Sequence, residues 1–360
     1  MIAASVPIQR AHHAKLLVID KNAWIIHAPR SSFADFLRRF DIVVANDAAT
    51  LPASLAGFHA PTGEALEVRL AGSRSLDGDD VSHFVAIVFG PGDFRTRTEN
   101  RLLPPRLRRG DRLALGPLCA IVERTLDHPR LVALRFEGSS ASIWEGISQH
   151  GRPIQYAHVH TPLALWDVWT PIAGAPFAFE PPSAGFMLDW KTVASIREHG
   201  ADFATITHAA GISSTGDDAL DRRLPFDERY RISAATAHAL CRAKNNGGRI
   251  VAVGTTVVRA LEHSALINGT VRAGAGIATQ RIGAATPLRV VDAIVSGTHE
   301  PGTSHYELLR AFVDDATLRR AADELDARDY RTHEFGDSIF IERRLRCAAR
   351  AKPAERLLAA

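Results

Sequence analysis

One short segment constrains the fold of this chain more than any other. Ile250–Val253 is apolar at every position, follows a Gly-Gly-Arg stretch, and leads through Gly254-Thr255-Thr256 into a helix-like segment. A run that is apolar on both faces and too short for an isolated helix is typical of a central strand in a parallel sheet covered on both sides. This segment therefore predicts a layered α/β fold.

Gly254, Thr255 and Thr256 lie where this strand would meet the following helix. Ligands of open α/β sheets bind beyond the carboxyl ends of the strands. Backbone N–H groups at a helix N-terminus, together with two hydroxyls, suit an anion or a ribose. An ordinary loop with a threonine capping the helix would have the same sequence, so the motif alone leaves ligand binding open.

The same pattern of an apolar run followed by polar residues returns three times. The runs are residues 41–45 before Asn46-Asp47, 203–207 before His208, and 290–295 before Ser296-Gly297-Thr298-His299. Helix-like stretches lie near them, and alternating strands and helices predict an α/β layered domain.

Residues 57–150 have a different character. Short strand-like pieces recur at 65–70, 84–89, 112–115, 120–124 and 131–136, separated by Gly, Pro and Asp turns. This spacing is typical of a small antiparallel barrel or sandwich. We therefore expect an α/β domain of residues 1–56 plus 151–345, an inserted β domain of residues 57–150, and a flexible tail of residues 346–360.

Composition excludes several classes of protein. The 360 residues carry a net charge of +3 from 43 basic and 40 acidic side chains, a balance that does not by itself predict nucleic-acid binding. The three cysteines are far apart, so a reducing cytoplasm is the simplest setting. We see neither a secretory signal nor an apolar run of about 18 residues, and expect no contact with a membrane. Oligomeric state is left open, with a monomer favoured.

Two histidines are candidates for proton transfer. His208 and His299 each follow a predicted strand, and imidazole titrates near neutral pH. A hydrogen-bonded structural histidine is the alternative for each. Arg259 and Glu262 lie three residues apart on one predicted helix, where an intrahelical ion pair is expected, although Arg259 could instead reach the loop.

Other polar residues have more ordinary interpretations. Asp337 adjoins an apolar run and would, if buried, need a hydrogen-bonding partner. His158 and His160 would share one face of a strand, but no third ligand follows at a zinc-site spacing, so no metal is expected. The arginine-rich stretch 95–112 could contact phosphates or be a solvated loop.

Taken together, these residues resemble the S-adenosylmethionine:tRNA ribosyltransferase-isomerase family of queuosine synthesis. The segment 247–262 is similar, nearly residue for residue, to the family's Gly-Gly-Arg-Val-x-Ala-Val-Gly-Thr-Thr-x-x-Arg-x-Leu-Glu. Weaker matches, in the same order as in the family, are Asn46-Asp47, Pro182-Ser183-Ala184-Gly185, Val291-Asp292-Ala293, His299-x-Pro301 and Gly336-Asp337.

The resemblance implies an α/β domain interrupted by an inserted β-barrel. It also implies that the ribosyl part of S-adenosylmethionine is transferred and isomerised onto 7-aminomethyl-7-deazaguanine in tRNA. Epoxyqueuosine would form, and adenine and methionine would leave. S-adenosylmethionine is thus the expected co-substrate and tRNA the expected partner, with a small nucleoside-like substrate in the site.

Site residues follow from the matched positions. Binding of S-adenosylmethionine is expected at Ser183, Ala184, Gly185, Gly254, Thr255, Thr256 and Arg259. His299 and His208 are the acid/base candidates, with Glu228 and Asp337 in reserve. Two alternatives remain: a relative that uses S-adenosylmethionine with an acceptor other than tRNA, and a non-catalytic RNA-binding protein on the same scaffold.

Overall fold

A computed structural model describes residues 2–6 and 13–344 of the chain. It contains a nine-stranded sheet and a closed six-stranded barrel, which confirms the predicted fold class. The strands of the large sheet lie in the order Gly274–Ala278, Glu228–Ile232, Asp202–His208, Ile42–Asn46, Ile250–Val253, Ala293–Gly297, Ser338–Glu342, Lys15–Ile19 and Ile25–Pro29. The predicted tail, residues 346–360, lies outside the described residues.

The centre of the large sheet is parallel. Ile42–Asn46 pairs in parallel with Asp202–His208 on one side and with Ile250–Val253 on the other, and the latter pairs in parallel with Ala293–Gly297. These are the apolar runs of the sequence, and every residue of Ile250–Val253 is buried. Because parallel strands end at the same edge of a sheet, their polar residues are brought together there.

Apolar side chains alternate between the two faces of this sheet. Ile250 and Ala252 join a core that includes residues of the helices Ala234–Asn245, Thr255–Asn268, Ser304–Leu309 and Asp315–Ala327. Val251 and Val253 join a second core on the opposite face, which the helix Trp190–Glu198 and the 3-10 turn Arg30–Phe36 cover. Burial on both faces explains why this strand is apolar throughout.

The barrel is antiparallel throughout. Its strands are Ser54–His59, Ala65–Ser73, His83–Phe89, Leu131–Phe136, Leu118–Thr125 and Arg112–Leu115, each paired with the next and the last with the first. Helix Ser140–His150 follows, capped by Ser139. The division into domains at residues 57 and 150 stays a prediction.

Smaller elements complete the described chain. Two-stranded pairs join Ile2–Ala3 to Arg331–Thr332 and Ala49–Thr50 to Pro176–Ala178. The remaining helical turns are Thr98–Asn100, Leu165–Asp167, Ser183–Met187 and Asp218–Asp221. Within the described ranges, no helix is both long and apolar enough to cross a membrane.

Candidate active site

A cleft opens at the edge where the parallel strands end. It holds about 730 Å³ of empty space, a volume that includes open solvent at its mouth. Residues following three central strands line it, and a further loop faces them. The lining includes Glu180, Ser183, Ala184, Gly211, Glu228, Gly254, Thr255, Thr256, Arg259, Ser296, His299 and His305.

Gly254 begins the turn that delivers the threonine pair to the cleft. Its φ is +94°, a left-handed conformation that favours glycine, and its N–H donates to the carbonyl of Val295 at 2.8 Å. No side chain caps the first turn of the described helix Thr255–Asn268. The capping threonine that a plain loop would have is therefore not found, and the helix N-terminus lies at the cleft.

The loop facing this turn is the 3-10 turn Ser183–Met187. Ser183 and Ala184 line the cleft, and a Cβ at Gly254 would lie 3.5 Å from the Cβ of Ala184. Gly185 is buried behind them, where an added Cβ would lie 3.1 Å from Thr170 Cγ2. Gly185 thus packs closely against Thr170 behind the cleft wall.

Arg259 and Glu228 form a buried ion pair in the cleft wall. The guanidinium also donates to the carbonyls of Phe226 at 3.0 Å and Ala278 at 2.8 Å. Glu228 Oε1 accepts from the N–H of Gly211 at 2.6 Å. Burial raises the pKa of Glu228, and the charge of Arg259 opposes that rise.

The prediction of an ion pair between Arg259 and Glu262 is wrong. Glu262 instead accepts backbone N–H groups from Arg289 at 2.7 Å, Val290 at 2.9 Å and Val291 at 2.8 Å. Its carboxylate accepts the backbone N–H groups of the loop that leads into the strand Ala293–Gly297, and Arg259 pairs instead with Glu228 of the strand Glu228–Ile232.

His208 lies behind the cleft wall rather than in it. The side chain is fully buried, with Nε2 3.6 Å from Glu228 Oε2, and neither ring nitrogen has a hydrogen-bond partner in the described part of the chain. Burial, followed by the charge of Arg259, holds the pKa of His208 well below its usual value. This placement does not support direct proton transfer between His208 and a bound ligand.

His299 lines the cleft together with a histidine that the sequence analysis missed. The rings of His299 and His305 stack with centroids 4.5 Å apart, and His299 Nε2 lies 3.1 Å from Ser296 Oγ. Burial lowers the pKa of His299 well below its usual value and that of His305 to about 4. Both imidazoles are therefore neutral at pH 7, so each has an unprotonated ring nitrogen, although burial also makes each a weaker base than an exposed histidine.

Glu180 is the second residue that the sequence analysis missed. Its carboxyl lines the cleft, and Oε1 accepts from the hydroxyl of Tyr156 at 2.5 Å. Burial raises the pKa of Glu180 to about 7, despite hydrogen bonds from Tyr156 and Ser213 that lower it. A carboxyl that titrates near neutral pH can donate a proton. Its only signal in the sequence was its position two residues before the Pro182-Ser183-Ala184-Gly185 segment.

Asp337 holds two chain segments together through hydrogen bonds to their backbones. Its carboxylate accepts the backbone N–H of Lys15 at 2.6 Å and of Arg331 at 2.8 Å. It joins two chain segments at the edge of the sheet and lies outside the set of described residues that line the cleft. The geometry therefore favours the hydrogen-bonded structural interpretation over the catalytic one.

Fold and cleft together define a layered α/β protein with an inserted barrel and a cleft at the ends of its parallel strands. A sequence model of a family described as "Queuosine biosynthesis protein" matches residues 1–341, so the chain belongs to that family.

Individual relatives agree over nearly the whole chain. A protein of Chlorobaculum parvum named S-adenosylmethionine:tRNA ribosyltransferase-isomerase is 29% identical over 350 residues, covering 94% of this chain and 96% of the relative. One of the same name from Sorangium cellulosum is 30% identical over 367 residues, covering 94% and 95%. The crystal structure of S-adenosylmethionine tRNA ribosyltransferase from Thermotoga maritima has a TM-score of 0.50 and 20% identity, covering 94% and 96%, a likeness of fold.

Proposed function

We propose that this chain is an S-adenosylmethionine:tRNA ribosyltransferase-isomerase. It would transfer and isomerise the ribosyl part of S-adenosylmethionine onto 7-aminomethyl-7-deazaguanine in tRNA, giving epoxyqueuosine and releasing adenine and methionine. The observation that carries the proposal is the convergence of the Gly254 turn, the Ser183 loop and His299 on one cleft. Relatives bearing this name match the chain from end to end.

The proton transfers would be divided between two sides of the cleft. The sulfonium of S-adenosylmethionine acidifies the adjacent ribosyl carbon, and the neutral pair His299 and His305 is placed to accept that proton. Glu180, with a pKa of about 7, would donate a proton to the departing adenine. Thr255 and Thr256 at the helix N-terminus would bind the ribose hydroxyls or the carboxylate.

Contacts with tRNA would use only part of the arginine-rich stretch. Arg101 is buried in an ion pair with Glu67, and Arg95 and Arg97 pair with Asp93 and Glu99. The exposed side chains of the following loop are Arg106, Arg108 and Arg109. These three are the arginines we expect to contact phosphates, with an affinity that falls as salt rises.

Turnover with the complete substrate pair tests the proposal. The protein is incubated with labelled S-adenosylmethionine and a tRNA carrying 7-aminomethyl-7-deazaguanine, and released adenine and methionine are measured. Thr255→Val with Thr256→Val should reduce the release strongly, whereas Thr125→Val, at an exposed position of the barrel, should not.

The outcomes separate the alternatives. Calorimetric binding of S-adenosylmethionine without release on this tRNA would indicate a different acceptor. Salt-dependent binding of tRNA with no binding of S-adenosylmethionine would indicate a non-catalytic RNA-binding protein. Either result would refute the full reaction.

A further inference from the structure

We propose that His158, His333 and Glu334 form a binding site for a divalent transition metal ion of the Zn²⁺ class. Their ligand atoms all lie within 4.8 Å of one another, and among residues 2–6 and 13–344 no other such group of three occurs. The site lies outside the catalytic proposal above and does not depend on it.

The distances are close to those of a bound ion. His158 Nε2 lies 3.1 Å from Glu334 Oε2. With metal–ligand bonds of about 2.0–2.2 Å, tetrahedral ligand atoms are separated by about 3.3 Å. The third atom, on His333, therefore needs to move inward by only about 1.5 Å at most, a rotation that a side chain can supply. Two imidazoles and one carboxylate leave a fourth position open, as in catalytic zinc sites.

His333 has an uncommon backbone conformation, and aromatic rings pack beside the two histidines. His333 has a φ of +69°, a left-handed conformation that is uncommon for a residue other than glycine. Its ring stacks on that of His158 with centroids 4.4 Å apart, and the ring of Tyr156 stacks on that of His158 at 6.3 Å. Because stacked imidazoles have nearly parallel lone pairs, the ring of His333 has to rotate on binding so that both lone pairs point to the ion. Strained residues with ordered side chains concentrate at functional sites.

An ion could enter this site from solvent. His158, His333 and Glu334 line an open groove that also contains Glu300 and Ser213. A water molecule from this groove would be available for the open position. The side chains of His158 and Glu334 retain 20% and 21% exposure, enough for access without leaving the site fully solvated.

The spacing of these residues along the chain does not reveal the site. The prediction that His158 and His160 share one face of a strand is wrong, because His158 lies in a turn and His160 is exposed. Glu334 is 176 residues from His158 along the chain. Only the fold brings the second histidine and the carboxylate to the first.

Calorimetric titration tests the site directly. Full-length protein without a polyhistidine tag is treated with a chelator, desalted and titrated with ZnCl₂. We expect one ion per chain, and a loss of affinity of more than about tenfold in each of His158→Ala, His333→Ala and Glu334→Gln. His160→Ala should bind like the wild type, as should His83→Ala, which removes another histidine–carboxylate pair.

A spectroscopic readout protects the test against misfolded variants. Co²⁺ added to the wild type should give visible ligand-field bands that ZnCl₂ displaces, and far-UV circular dichroism should show that each variant remains folded. Absence of both Zn²⁺ and Co²⁺ binding in the wild type would overturn the proposal. So would binding that folded Glu334→Gln retains in full, since the ion would then occupy an unrelated surface site.

Discussion

Replacing Glu180 by glutamine should change how the stability of this protein depends on pH. Glu180 is buried, hydrogen-bonded to Tyr156 and Ser213, with the like charge of Glu334 nearby and Arg69 on the far side of Tyr156. Glutamine has nearly the same shape and can keep the hydrogen bond from Tyr156. It cannot ionise, so the substitution removes one titration and little else.

The magnitude follows from the shift in pKa. Burial raises the pKa of Glu180 from 4.5 to about 7. A group whose pKa is raised in the folded state contributes stability that is fully present below the unfolded pKa and is lost as pH rises through the folded pKa. Between pH 5 and pH 8 the wild type should therefore lose about 2–3 kcal/mol of unfolding free energy that the variant keeps, from about 1.4 kcal/mol per pKa unit.

Urea denaturation at pH 5, 6, 7 and 8 measures this difference. The unfolding free energy of wild type minus that of Glu180→Gln should fall with pH, most steeply between pH 5 and pH 7. Glu145→Gln, at an exposed position on the helix Ser140–His150, is the matched control and should show no such trend. A difference that stays flat from pH 5 to pH 8 would show that Glu180 is already ionised in the folded protein and refute its proposed role as a proton donor.

Three further predictions concern the cleft wall. Gly254→Ala forces an alanine into a φ of +94° and places its Cβ 3.5 Å from the Cβ of Ala184. Thermal unfolding should show that the unfolding free energy falls by about 1–2 kcal/mol, and calorimetry should show weaker binding of S-adenosylmethionine. Arg259→Met leaves Glu228 buried without its cation, so urea denaturation should show that the unfolding free energy falls by about 3–5 kcal/mol. Adding Glu228→Gln should recover much of that free energy. A double variant no more stable than Arg259→Met alone would contradict the pairing. His299→Ala should lower the rate of adenine release in single-turnover experiments at saturating S-adenosylmethionine and leave its affinity nearly unchanged, because the imidazole acts on a proton rather than on binding.

Much of the fold was predictable because the central strands carry their own signal. Ile250–Val253 is apolar at all positions because its side chains enter cores on both faces of the sheet. The barrel strands were predictable for a different reason, since short pieces separated by turn residues leave few alternatives to an antiparallel arrangement. In both cases the pattern of apolar residues within a short segment shows which side chains are buried, so the sequence was sufficient to predict these strands.

The site was only partly predictable because the direction of a side chain at a strand end depends on distant contacts. Asn46 accepts the backbone N–H of His208 at 2.9 Å and donates to its carbonyl at 2.9 Å, which fixes where the strand Asp202–His208 ends. His208 then points into the protein toward Glu228 instead of into the cleft. Nothing in the sequence near His208 specifies that direction.

Glu180 and His305 were harder still to predict. Glu180 lies between regular elements, and His305 lies in the first turn of the short helix Ser304–Leu309, so neither belongs to a periodic pattern long enough to show which way its side chain points. Tyr156, which orients Glu180, lies 24 residues earlier in the chain. His305 lines the cleft beside His299, on whose ring its own ring stacks, and the loop between the two residues leads into the helix Ser304–Leu309.

The charges in the cleft also bear on the kind of ligand that it would accept. The cation of Arg259 is balanced by Glu228, and burial keeps His299 and His305 neutral at pH 7. A sulfonium entering this cleft would therefore meet no unbalanced positive charge from these side chains, and repulsion between like charges in a desolvated site would otherwise be costly. A nucleoside triphosphate would gain little from this wall, because Arg259 is already paired with Glu228 and hydrogen-bonded to two carbonyls. The electrostatics of the wall thus favour a nucleoside with a positively charged substituent over one with a highly negative substituent.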